Sequence, residues 1–224
     1  VWILIGTRFQ PRPVDAEDVS IPVDGAQQAN IRMNYGAGRV NVYAGAESGM
    51  LVEGRFGGGL DYNSNRSGDR LDVSMRIRDR GFPHVITPWT WGQGGRFDWE
   101  VGLNPDIPLT LKLNTGASDT RLDLTDLQVT ELRIDTGASA TEITTPANVA
   151  YTKVIVKSGV ASVKLSVPDG VAARIRVTGG LMSASVNKDR FPRVGKYYQS
   201  PDYETASRRV EMNLESGVGS ISVG

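Results

Sequence analysis

The sequence predicts an all-β protein built as a parallel β-solenoid, and three observations carry that expectation. A glycine-centred segment recurs six times, the apolar residues flanking each glycine alternate with period two, and no stretch longer than ten residues sustains a helical period. Almost no helix is therefore expected.

The segments are IRMNYGAGRVNV, LKLNTGASDTRL, LRIDTGASATEI, VIVKSGVASVKL, IRVTGGLMSASV and MNLESGVGSISV, aligned on Gly36, Gly116, Gly137, Gly159, Gly180 and Gly217. Subtracting neighbouring numbers gives steps of 80, 21, 22, 21 and 37 residues. Before the glycines stand the apolar pairs Ile31/Met33, Leu111/Leu113, Leu132/Ile134, Val154/Val156, Ile175/Val177 and Met212/Leu214. After them come Val42, Leu122, Ile143, Leu165, Val186 and Val223. Spacing by two puts one face of each strand inside and the other in solvent. The glycine with its small neighbours marks a bend. A step of about 21 residues is one coil, which buries its inward row only by stacking on the next. Leu124, Leu127, Pro146, Val149, Val167, Pro168 and Val171 fall where each coil must corner.

Two steps are too long for one coil. The first excursion holds strand-like runs at 50–56, 70–78 and 96–103, separated by Gly57-Gly58-Gly59 and by Asn63 to Gly68, which predicts antiparallel hairpins against the first coils. The triple glycine lacks the Gly-Lys-Ser/Thr of a phosphate loop. The second excursion, from Asn187 to Arg209, is polar, aromatic and basic, and is expected to cross the end of the stack before the final coil returns.

The repeat also settles Asp135, whose Asp-Thr-Gly-Ala setting imitates an aspartic protease. Its register, two before the glycine, is filled elsewhere by Asn34, Asn114, Lys157, Thr178 and Glu215, so any polar residue is accepted. A protease needs two carboxylates sharing a proton, and Asn114 cannot supply the second.

Composition excludes several classes. With 25 basic and 25 acidic residues the chain has no net charge to draw it to nucleic acid, and with no Cys it has no disulfide or thiolate chemistry. No cofactor or metal site is expected. His84 is the sole histidine, and no Gly-x-Ser-x-Gly elbow accompanies it. Residues 1–18 are expected to be a juxtamembrane segment, with Val1 to Ile5 either the remnant of a membrane helix or an ordinary first strand, and 19–224 the solenoid domain. Five apolar residues are far short of the roughly 20 a span requires.

Trp99-Glu-Val-Gly-Leu103-Asn-Pro105-Asp-Ile107-Pro108, followed by Asn-Thr-Gly-Ala-Ser, Leu122-Asp-Leu124 and a second Thr-Gly-Ala-Ser, resembles the toast-rack domain of LiaF-like cell-wall-active antibiotic response proteins. The stretch from Arg190 to Tyr203 and the final Gly217-Val-Gly-Ser are similar to the end of that domain, so the resemblance spans about residues 19 to 224. It implies a right-handed, single-stranded β-helix behind a hydrophobic N-terminal membrane segment, located at the cell membrane on a side the sequence does not fix. It also implies a role in envelope stress, restraining a membrane sensor kinase. The resemblance brings no catalytic residues with it.

The residues singled out for interaction are Trp89 and Trp91 in a Pro/Gly-rich loop, Tyr197, Tyr198 and Tyr203 in the second excursion, and the outward cations Lys112, Arg133 and Arg176. Exposed Trp and Tyr anchor interfaces and also cap cores. Stacking places Lys112 and Arg133 roughly 5 Å apart, with Arg176 two coils beyond Arg133. They would face an anionic headgroup, a cell-wall polymer or an acidic partner, or form a solvated ladder neutralised by Glu142 and Asp123.

The leading reading is a non-enzymatic, membrane-tethered interaction module for a sensor kinase or other envelope protein. Alternatives are a polysaccharide-binding or polysaccharide-active β-helix, with Asp119, Arg121, Asp123, Asp135 and Glu142 as the available groups, and a structural protein that self-assembles into a homo-oligomer through open coil ends, whose unpaired strand edges the excursion from Asn187 to Arg209 would otherwise cover. Arg121 is expected to stack over Glu142 as an ion pair.

Overall fold

A computed structural model describes residues 16–78 and 97–224. The strands are β1 (Ala16–Pro22), β2 (Gln28–Ala44), β3 (Met50–Gly57), β4 (Leu60–Ser67), β5 (Arg70–Ile77), β6 (Trp99–Leu103) and β7 (Leu109–Asp123). They continue with β8 (Val129–Thr144), β9 (Tyr151–Ser166), β10 (Ala172–Val186), β11 (Arg193–Val194), β12 (Tyr197–Gln199) and β13 (Arg209–Val223). Among the described residues there is no helix, and all these strands belong to one open sheet. Strand β1 includes Ala16, Glu17 and Asp18, so pairing begins inside the segment expected to be juxtamembrane. Val1 to Ile5 lie outside the described residues.

The repeats are six long strands, each bent at its glycine and paired in parallel with its neighbours. The inward residues stack in register: Met33 on Leu113, Leu113 on Ile134, Ile134 on Val156, Val156 on Leu214 and Leu214 on Val177. The first five are buried, and Val177 at the end of the row is half-buried. Beyond the bend the row from Val42 through Leu122, Ile143, Leu165 and Val223 to Val186 is buried throughout. At roughly 2 kcal/mol for each fully buried aliphatic side chain, these rows are the main cohesive force of the stack.

The strand order differs from chain order. The final repeat does not add to the end of the stack; β13 lies between β9 and β10, parallel to both. The turn after β9 steps past the intervening slot, and the Val167 N–H bonds the carbonyl of Gly224 at the tip of β13. The physical reason lies in the side chains. Across the pair β13 offers Val210, Met212, Leu214 and Ile221 where β10 offers Ala173, Ile175, Val177 and Ala184; Val223 and Val186 match, and only Met182 opposite Gly219 runs the other way. The more apolar strand takes the slot with neighbours on both sides.

The glycine column records the same order. A Cβ at Gly137 would stand 3.0 Å from the carbonyl of Gly116, at Gly159 2.9 Å from that of Gly137, at Gly217 2.7 Å from that of Gly159, and at Gly180 2.9 Å from that of Gly217. The strands approach too closely at the bend to accept a side chain without displacement.

The first excursion covers the other edge of the stack. Antiparallel pairings are present, β4 with β5, β3 with β6 and β1 with β3, but the strands that touch β2 itself are parallel to it: β5 along Gln28 to Asn34 and β6 along Val40 to Ala44. Buried Trp99 on β6 meets Tyr35 at 5.1 Å and Phe56 at 5.2 Å between ring centroids, both edge-on, and its Nε1 donates to the Gly57 carbonyl at 3.2 Å. At the opposite end Phe191, fully buried, closes the core from the second excursion, and the Arg190 guanidinium donates to the carbonyls of Val167, Pro168 and Val171.

Candidate interaction surface

The position four before each glycine points outward. Read along the true strand order it holds Arg32, Lys112, Arg133, Ile155, Asn213 and Arg176. Arg32, Lys112 and Arg133 are direct neighbours on adjacent strands, each step roughly 4.8 Å. Arg176 is three strands beyond Arg133, not two, because β13 intervenes; it stands apart from the cluster by roughly 14 Å. Arg32 and Arg176 are exposed, and Lys112 and Arg133 are half-buried. Arg133 also meets Glu131 on its own strand at 3.5 Å, which partly neutralises it.

The charges after the bend form a separate ladder. Glu142 accepts from Arg121 at 3.1 Å and from Lys164 at 2.8 Å, so the expected pair is a three-strand chain. These contacts hold the Glu142 carboxyl below its ordinary pKa, through Lys164 first and Arg121 second. Asp119 meets Arg39 at 3.7 Å. Asp123 plays no neutralising part in the cationic row: it accepts from the backbone N–H and hydroxyl of Thr125, shaping the turn after β7. Asp135 lies before the bend, away from Asp119, Asp123 and Glu142. The carboxylates proposed for polysaccharide chemistry are thus divided among an ion-pair ladder, a turn and a different limb.

The tyrosines separate as well. Tyr203 is buried, with the Arg174 guanidinium 4.2 Å from its ring centroid; burial first, and the Glu211 charge second, raise its pKa. It packs the end of the stack, the core-capping role that the sequence also allows. Tyr197 and Tyr198 are half-buried, and Tyr197 has Lys196 5.6 Å and Arg174 5.9 Å from its ring centroid. Trp89, Trp91 and His84 lie outside the described residues. Among the described residues no group of three His, Cys, Asp or Glu side chains is placed to hold a metal ion.

Residues 10–166 match the family of the N-terminal domain of toast_rack, DUF2154. The chain belongs to that family. The match takes in the Trp99 to Ile143 run and ends with β9, short of the C-terminal stretches that also resemble the domain. A crystal structure from Clostridium sporogenes ATCC 15579, of a protein provisionally described as a cell adhesion protein, has the same fold. Its TM-score is 0.83 at 21% identity, covering 93% of this chain and 98% of that one. No curated protein matches the chain.

The toast-rack stack carries two surfaces that the sequence indicates only in part, through the register of Asp135 and through the open end of the stack. One is an open groove of about 540 Å³ along the bend, lined by Asp135, Lys157, Glu215 and Thr178 and floored by the backbone of Gly159, Gly217 and Gly180. Its charges alternate in sign from strand to strand, an arrangement visible only once β13 is placed. The other is the outer edge of β10. Strand β12 pairs with it only at Arg174 and Ile175, and Leu181 beyond the bend is 83% exposed. The repeat contained this signal, since Leu181 is the largest residue in a column otherwise filled by Ala37, Ala117, Ala138, Val160 and Val218. Among the described residues no helix is long and apolar enough to cross a membrane.

Proposed function

We propose that this toast-rack protein is a non-enzymatic, membrane-tethered interaction module that offers the Arg32, Lys112 and Arg133 row to an acidic partner at the cell envelope, of the sensor-kinase type met by LiaF-like proteins. The observation that carries the reading is the juxtaposition of three outward cations on adjacent strands of one stack, of which, among the described residues, only Arg133 meets a carboxylate. Like charges so placed raise one another's energy, and an anionic surface relieves that cost. The division of the carboxylates among separate structural roles supports a binding role over turnover. The adhesion description of the Clostridium sporogenes neighbour is compatible with a module that binds rather than reacts.

The finer architecture belongs to the same reading. Parallel registers linking β7, β8 and β9 support a right-handed, single-stranded solenoid with laps of about 21 residues. A crystal structure tracing left-handed returns would refute it.

The functional test is a pull-down from detergent-solubilised membranes with the full-length protein and with an Arg32→Glu/Lys112→Glu/Arg133→Glu variant. Native protein should recover a membrane protein that the variant loses while keeping its unfolding midpoint. Equal recovery by both, or by neither, would reject the cationic row as the contact.

A further inference from the structure

We propose that the second half of β10 is a homodimer interface, in which Gly180 to Val186 of one copy pairs antiparallel with the same residues of a second copy about a two-fold axis at Ser183. The inference is independent of the envelope partner, because it uses the opposite end of the stack from the Arg32, Lys112 and Arg133 row.

Beyond Ile175, β10 has β13 on one side and no strand among the described residues on the other. A run of unpaired N–H and C=O groups is a template for another strand, and proteins that avoid such pairing place Lys or other charges there, or Pro, which lacks the N–H. From Val177 to Val186 this edge has no charged residue and no Pro. The contrast with the rest of the stack is specific. The positions filled by Ser183 and Ser185 hold Asp119 and Arg121 in β7, and the Ser185 position holds Glu142 in β8 and Lys164 in β9. Charge disappears as the stack approaches β10.

The identity of the occupant follows from the symmetry. Across a two-fold axis the central residue faces its own copy, so a charged residue there would repel itself, whereas two serines can exchange hydrogen bonds. With Ser183 on the axis, Met182 stands opposite Ala184 of the other copy and Leu181 opposite Ser185, large against small on both faces. Parity is preserved: the inward residues Met182, Ala184 and Val186 stay on the core side. Ala184 is exposed although its column, Val40, Thr120, Thr141, Val163 and Ile221, is otherwise at most 3% exposed. Met182 of a second copy would continue that column. The seam is roughly 23 Å long for seven residues. It stops at two copies, since a two-fold pairing uses the β10 edge of both chains, and the β2 end of the stack is covered by β5 and β6.

Light scattering on the full chain tests the proposal. Native protein should have twice the 24.2 kDa chain mass. Ser183→Glu and Ser183→Lys, each alone, should halve that mass, and an equimolar mixture of the two should restore it. Because the chain has no cysteine, Ser183→Cys gives a second, independent readout. Its thiols would meet at the axis within disulfide reach and form a covalent dimer on oxidation, whereas Ser162→Cys should not. A native protein that is monomeric at high concentration would overturn the proposal. So would a native dimer that neither charge disrupts and that the Ser183→Cys variant fails to cross-link. An oligomer that grows beyond two copies would overturn the closed two-fold seam.

Discussion

The backbone carbonyl of Gly36 occupies the space that a Cβ on Gly116 would need, whereas Gly36 itself has nothing within 4 Å of its own missing Cβ. Both glycines hold the same register, on adjacent strands. The difference is directional: each strand intrudes on its successor in the stack, and β2 has no long bent strand before it. Gly116→Ala should therefore destabilise the fold by about 1–3 kcal/mol through forced separation of β2 and β7. Gly36→Ala should be neutral, or stabilise by up to about 1 kcal/mol by restricting the unfolded chain. Urea midpoints of the two variants check this, and equal losses would contradict the directional stacking.

The Arg121, Glu142 and Lys164 ladder gives a pH dependence with a definite sign. Because its partners lower the folded-state pKa of Glu142, the ladder's contribution is present above the unfolded carboxylate value of about 4.3 and is lost as pH falls through the lower folded value. Native protein should be slightly more stable than Glu142→Gln at neutral pH, with the gap closing in acid and shrinking in high salt. Denaturation curves for both proteins from pH 7 to about 3 would show it; a gap that widened in acid would reverse the assignment.

Tyr35 titrates in the opposite sense. Its buried hydroxyl bonds the Phe97 carbonyl and, at 3.2 Å, that of Arg39, and burial first, then the Asp98 charge, raises its pKa well above the ordinary phenol. A raised folded pKa means stability intact below the unfolded value of about 10 and lost as pH rises beyond it. Tyr35→Phe should cost about 1 kcal/mol at pH 7. Its stability should then fall less steeply than that of the native protein above pH 10.

Much of the stack was legible in the sequence because strand periodicity is a local property: Leu113, Ile134 and Val156 announce an inward column by spacing alone, and the structure stacks them in register. The placement of β13 was not legible. Gly180 and Gly217 have equally good repeats, and the choice of which takes the interior slot depends on comparing Ile221 with Ala184 across strands, a tertiary competition that chain order conceals. The error in the distance from Arg133 to Arg176 follows directly from that. Of the two roles the sequence allows Tyr203, interface anchor or cap on the end of the stack, the choice also depends on a tertiary contact. Its surroundings are polar and turn-rich, and Arg174 from a distant strand lies over its ring and helps bury it at the end of the stack.

The second excursion supplies the last expectation. Its sequence is polar enough to pass for a solvated loop, but Phe191 closes the end of the apolar interior, and Arg190 beside it holds three carbonyls where β9 turns towards β10. A planar guanidinium can span those acceptors; an ammonium on a flexible stem cannot. Phe191→Ala should cost about 3–5 kcal/mol, through lost burial and the cavity left behind. Arg190→Lys should keep the positive charge and still lower the unfolding midpoint, because it leaves at least one carbonyl unbonded. If the excursion were only a loop, both variants would unfold at the native midpoint. Amide hydrogen exchange adds a spatial readout: loss of the cap should speed exchange in β10 and β13 first, while β2 and β7, at the far end of the stack, keep their native rates.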